Sequence, residues 1–145
     1  MKQYNVAVLG ATGAVGQQMI RVLEERNFPV NILRPLASAR SAGKTIEFKG
    51  HKIAIEEATD ASFTGMDFVL GAVSNPMAQK FAPKIVESGA VFIDNSSAFR
   101  MQADVPLVVP EINPEDARLH HGIIANPNCS TIITMVALGG IRKLS

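Results

Sequence analysis

The sequence predicts an α/β fold, with a doubly wound, mostly parallel sheet and helices on both of its faces. Three observations carry this reading. Short apolar runs alternate with segments of helical period, a glycine-rich loop joins the first run to the first helix, and polar loops follow later runs. Parallel strands need crossovers, and the crossovers cover the sheet.

The run Val6 to Leu9 is short, apolar and closed by glycine, as a strand buried on both faces requires. A helix follows, with Val15, Met19, Ile20 and Leu23 near helical spacing and Asn27 with Pro29 as its stop. Ile32 to Ala37 reads as a second strand, weakened by Pro35, which lacks a backbone donor. "KTIEFKGHKIAIEEA" holds two alternating runs about Lys49 and Gly50, the pattern of a hairpin. Phe68 to Val73 is a further buried strand, and Pro76 opens a helix that reaches Glu87 and is capped by Gly89. Val91 to Ile93 is the next strand, ending at Asp94, and Leu107 to Val109 and Ile123 to Ile124 add two short ones. A last helix begins at Cys129, with Asn128 as its cap and Gly139 and Gly140 as its end.

Residues 1–145 suffice for one domain with a true core, 47% of them being hydrophobic. The formal net charge of +1 comes from interspersed residues of both signs, so the chain carries no electrostatic footprint for nucleic acid or an anionic membrane. No apolar run reaches the roughly 18 residues of a membrane span. A single cysteine forms no internal disulfide, and "MKQYNVAVLG" enters strand-like sequence too early for a secretory signal, so the expected compartment is the cytoplasm. That compartment discounts the glycosylation-type sequons at Asn95 and Asn128.

The loop after the first strand is "GATGAVG", with glycines at 10, 13 and 16. Gly10 permits a tight turn, Gly13 lets the backbone approach a pyrophosphate, and Gly16 lets the helix pack closely, which makes the fold Rossmann-like. Unpaired amides of Ala14, Val15 and their neighbours at the helix start face the anion. An NAD site places a carboxylate after the second strand. Here the sequence is "LASARSAG", where Ser38, Arg40 and Ser41 offer a cation and two hydroxyls, the complement of a 2'-phosphate. The favoured cofactor is therefore NADP.

Two readings of Cys129 stand side by side on local sequence. At the first position of a helix the sulfur meets the positive end of the dipole, which lowers a thiol's pKa and makes it a nucleophile, and the Asn128 amide can turn toward an oxyanion. Alternatively Cys129 packs in a core beside Ile132 and Ile133. Arg100 closes "FIDNSSAFR" at a strand's carboxyl end, where it either clamps a phosphate or carboxylate or forms a surface ion pair. His120 and His121 lack a third ligand at recognisable spacing and read as solvent-facing loop residues, so no metal site is expected.

The ordered motifs "GATGAVG", "LASARSAGK", "DNSSAFR", "VPEIN" and "NPNCST" closely resemble the N-terminal part of bacterial aspartate-semialdehyde dehydrogenases, over essentially all 145 residues. The resemblance implies reduction of 4-phospho-L-aspartate to L-aspartate 4-semialdehyde with NADPH and release of inorganic phosphate, on the route to lysine, threonine and methionine. It implies that Thr12 to Val15 contact NADP, that Arg40 and Ser41 hold its adenosine phosphate end, that Arg100 and Asn128 bind the substrate phosphate, and that Cys129 forms the acyl thioester. Family members continue into a substrate and dimerisation domain that supplies a histidine acid/base, an arginine for the substrate carboxylate and a homodimer interface. That domain is expected to be absent from these 145 residues, which would then bind nucleotide with little turnover. An N-acetyl-glutamyl-phosphate reductase-like enzyme and a non-catalytic NADP-binding module are the alternatives.

Overall fold

In the computed structural model, which describes residues 2–142, six parallel strands form one sheet. The chain runs β1 (Tyr4–Leu9), α1 (Ala14–Glu25), β2 (Val30–Ala37), β3 (Thr45–Phe48), β4 (His51–Ala54), β5 (Glu56–Glu57), β6 (Phe68–Gly71), α2 (Asn75–Glu87), β7 (Val91–Asp94), β8 (Ile123–Ala125) and α3 (Cys129–Arg142). The strand order is β5-β2-β1-β6-β7-β8, with β3 and β4 as a separate antiparallel hairpin. Winding therefore runs outward in both directions from β1, and every strand of the main sheet ends on the same edge.

The central strand is apolar because both of its faces are covered. Val6 and Val8 join Ile20, Leu33 and Phe48 on the α1 side, whereas Ala7 and Leu9 join Phe63, Phe81, Ile85 and Phe92 on the α2 side. Phe63 and Phe81 meet edge-on, with ring centroids 5.5 Å apart. The hairpin turns at Lys49 (φ 49°) and Gly50 (φ 76°), two left-handed residues in the two-residue turn whose twist suits a hairpin. Asn27 (φ 48°) and Gly89 (φ 84°) carry the chain out of α1 and α2, as their types predict.

Pro35 does not interrupt β2. The Leu36 carbonyl accepts from the amides of Gly10 and Ala11, so Leu36 faces β1 and Pro35 faces the opposite neighbour. On that side β5 pairs only with Leu36 and Ala37, so no ladder bond is missing.

Two expectations are corrected. Leu107 to Val109 is no strand: a single bridge joins Leu107 to Ala125, and the Val108 amide donates to the Ala125 carbonyl at 3.1 Å. The intervening Asn113 side chain draws the segment into a turn by accepting from the Val109 amide and donating to the Leu107 carbonyl. Gly139 and Gly140 do not end α3, which continues to Arg142. Gly139 is instead a packing position, because a β-carbon there would collide with Cδ1 of Ile112. Among the described residues, no helix is long and apolar enough to cross a membrane.

Phe81 fills the space between α2 and the sheet and is 1% exposed. Phe81→Ala is expected to cost about 3–5 kcal/mol of stability, read as a fall in the urea unfolding midpoint with an unchanged slope.

Candidate functional site

The loops at the carboxyl edge of the sheet hold the residues that the sequence singles out. After β1, Gly10 adopts φ +91°, and a β-carbon on it would run into the Ala72 carbonyl at the end of β6. Gly16 is buried, and a β-carbon there would strike the Gly10 carbonyl. The first and third glycines are thus required by backbone contact, Gly10 with the chain leaving β6 and Gly16 with the turn itself more than with the sheet. Gly13 differs: it caps α1 with φ −75°, and a β-carbon would meet only the Gly10 oxygen, at 3.5 Å. No side chain caps the start of α1, and Thr12, Ala14 and Val15 are exposed around it. An uncapped helix start with exposed amides suits an anion.

Beside this loop lies a cleft of about 470 Å³, bordered by Gly10, Thr12, Ser38 and Ala39 on one side and by Ser74 and Met77 on the other. Ser38 precedes a short 3-10 turn, Ala39–Ser41, that carries Arg40 exposed and without an ion pair among the described residues. The cleft is of a size for a nucleoside. The glycine turn presents an uncapped helix start beside this cleft, so these residues fit a dinucleotide.

The loop after β7 is stiffened by Asp94, a fully buried carboxylate. It accepts from the Ser96 amide at 3.1 Å and from the Ser96 hydroxyl at 2.6 Å, and the Ser96 oxygen in turn accepts from the Ala98 amide. Asn75 at the start of α2 and Ser97 bond reciprocally, side chain to side chain at 2.8 Å and amide to side chain at 3.0 Å. Neither Asn75 nor Ser97 was singled out from sequence, although "SNP" before a helix marks a third loop at this edge.

Arg100 is half-buried and makes no ion pair among the described residues, so the surface-pair reading fails. Its Nε donates to the Asn126 carbonyl at 2.9 Å and one terminal nitrogen donates to the Asn95 carbonyl at 3.1 Å. Asn126 also donates from its side chain to that of Asn95. Both tethers of Arg100 are neutral, which leaves its positive charge uncompensated beside the segment that leads into α3.

That segment ends at the thiol. Cys129 is the first residue of α3 and is exposed, so packing within a core of the described residues is excluded. Asn128 Oδ1 accepts from the Ser130 amide at 2.9 Å, the bond of a helix cap, and the thiol lies 3.9 Å from the same oxygen. With its oxygen so engaged, the Asn128 amide nitrogen is left to donate outward. His121 is exposed as expected, but His120 is half-buried because its Nδ1 accepts from the Gly122 amide at 2.9 Å. Among the described residues no cluster of three metal-ligating side chains forms.

Residues 5–120 match the family described as semialdehyde dehydrogenase, NAD binding domain. This chain belongs to that family. It is 53% identical over 139 residues to an aspartate-semialdehyde dehydrogenase of Synechocystis, covering 96% of this chain and 41% of that protein. The crystal structure of aspartate semialdehyde dehydrogenase II of Vibrio cholerae complexed with ASA superposes with a TM-score of 0.91 at 47% identity, covering 98% of this chain and 47% of that one. The Candida albicans enzyme, solved with NADP, gives 0.80 at 28% identity, with coverage of 98% and 47%. The chain thus spans less than half the length of these relatives. The NAD(P)-binding character of the domain follows from the family, together with its mostly parallel doubly wound sheet.

Asp94→Asn replaces an acceptor of two hydrogen bonds by an amide that can satisfy only one of them. The expected loss is about 1–3 kcal/mol, with faster amide hydrogen exchange confined to residues 95–100.

Proposed function

We propose that residues 1–145 are the NADP-binding and nucleophile-bearing part of an aspartate-semialdehyde dehydrogenase, which forms L-aspartate 4-semialdehyde from 4-phospho-L-aspartate and releases inorganic phosphate. The observation that carries the proposal is the placement of an exposed thiol at the capped start of α3, three residues after the carbonyl that tethers the Arg100 guanidinium. Relatives named for this enzyme, at about half identity over nearly the whole chain, support this reading over the N-acetyl-glutamyl-phosphate reductase alternative.

In this assignment the amides of Ala14, Val15 and Gly16 at the start of α1, with Thr12 beside them, hold the diphosphate of NADP, where the helix favours negative charge, while Gly10 and Gly13, whose amides donate to the Leu36 and Gly10 carbonyls, shape the turn. Ser38, Arg40 and Ser41 take the 2'-phosphate. Arg100, with the Asn128 amide, holds the substrate's phosphoryl oxygens. The Cys129 thiolate attacks the acyl carbon, the carbon–oxygen bond to phosphate breaks with its electron pair on the leaving oxygen, and a thioester remains. Asn128 faces the oxyanion formed during that attack. NADPH, when bound, supplies the hydride that turns the thioester into the aldehyde and frees the thiolate. Acid/base catalysis and recognition of the substrate carboxylate are assigned to none of these residues. A cytoplasmic homodimer belongs to the same reading.

Arg40→Ala is expected to weaken NADPH binding about tenfold or more while leaving NADH within about twofold. A titration of the two cofactors checks this, and equal affinity of the unaltered chain for both would remove Arg40 from its role. In an enzyme that carries these residues together with the substrate domain, Cys129→Ser is expected to lower phosphate-dependent oxidation of the semialdehyde at least about 10³-fold with cofactor affinity unchanged. Retention of that activity would sink the nucleophile assignment.

A further inference from the structure

The two carbonyls that hold Arg100 lie on neighbouring loops. Asn95 and Asn126 are the first residues beyond β7 and β8, whose last register pair is Asp94 with Ala125. The Asn126 amide donates to the Asp94 carbonyl at 2.8 Å, and the Asn95 amide donates to the Gly71 carbonyl at 3.1 Å. Past these bonds the ladder stops. One further link joins the two strand ends, the Asn126 side-chain nitrogen donating to Asn95 Oδ1 at 2.6 Å. It holds the Asn126 and Asn95 carbonyls side by side, and the guanidinium spans both, with Nε on the first and Nη2 on the second. Neither asparagine side chain has a role in the assignment above.

A guanidinium carries five N–H donors in a fixed fork. The carbonyls engage the edge formed by Nε and Nη2, and the three remaining N–H groups, two on Nη1 and one on Nη2, make no hydrogen bond among the described residues. Those three form the end of the fork, which can take two oxygens of one anion. Its direction follows from the carbonyls behind it. Asn126 also begins the segment that leads to the thiol, and the three residues from there to Cys129 span at most about 11 Å. Resting on the roles given above to Arg100 and Cys129, we infer that the Asn95–Asn126 amide bridge positions the free end of the guanidinium toward the anionic group of the molecule that the thiol attacks. Both asparagine side chains act through Arg100 and not by touching that molecule. Without the bridge the carbonyl pair separates, a tether is lost, and the guanidinium regains side-chain freedom.

The test compares the rates at which iodoacetate and iodoacetamide alkylate Cys129, the single cysteine, in the purified protein without turnover. Both reagents require the thiolate, so their ratio cancels its fraction and reads the pull on the negative charge. Arg100→Gln is expected to lower the iodoacetate-to-iodoacetamide ratio about tenfold. Asn95→Ala, Asn126→Ala and the double variant should each lower it by a common factor of about three or more, with the iodoacetamide rate within about twofold of the unaltered protein. A common factor, and not a product of two, is what one shared bond produces. An unchanged ratio in both single variants, while Arg100→Gln lowers it, overturns the inference and leaves the Arg100 assignment standing. Equal losses with the two reagents overturn it as well, because general loosening around the thiol accounts for them. If Asn126→Ala does not fold, Asn95→Ala decides, since it removes the same bond from the other side. A ratio indifferent to Arg100→Gln removes the guanidinium from the thiol's site, and this inference falls with that assignment.

Discussion

The site depends on the close approach of three backbones where β1 turns into α1. Gly10 lies against the carboxyl end of β6, and Gly16 lies against Gly10, each at a distance that excludes a β-carbon. The Leu36 carbonyl ties the same turn to β2 by accepting two amides from it. One turn thereby fixes α1 relative to three strands, and the uncapped start of the helix is held at the sheet's edge beside the cleft. An alanine at Gly16 would have to move a backbone, whereas the loop glycines Gly43 and Gly65 face open space.

A second tier of order runs along that edge through polar side chains. Asp94 organises the loop after β7 from below, Asn75 and Ser97 join this loop to α2, and Arg100 joins it to the segment before α3. Because the main sheet is entirely parallel, these loops all emerge together. Strand order alone thus brings residues from distant parts of the chain, Asn75 and Ser97 or Arg100 and Asn126, into hydrogen-bond contact. The apolar layers beneath supply stability, and the polar layer above supplies position.

Much of this was legible in the sequence because it is written locally. The glycine spacing, the Lys49-Gly50 turn, and the Asn128 cap each depend on residues within a few positions of one another. What escaped is non-local or brief. β5 is two glutamates long, with no apolar pattern to mark it, and only its pairing with β2 makes it a strand. Met77 of α2 borders the same cleft as Ser38 after β2, which follows from strand order and not from spacing. Gly139 misled for a related reason: glycine after an apolar helical run signals an end, yet here it accommodates Ile112 from a separate loop. Leu107 to Val109 has the composition of a strand, but the demands of Asn113 on its backbone leave a single bridge.

The two carbonyl tethers of Arg100 have a thermodynamic consequence. A free arginine side chain gives up up to about 2 kcal/mol of rotamer entropy when it is immobilised. Here the guanidinium is already held by Asn95 and Asn126 before any anion arrives, so that loss accompanies folding and is not charged to complex formation. Because its partners are neutral, an incoming anion displaces no counter-ion bound to the protein. The remaining resistance to binding is then the stripping of water from the anion and the cation.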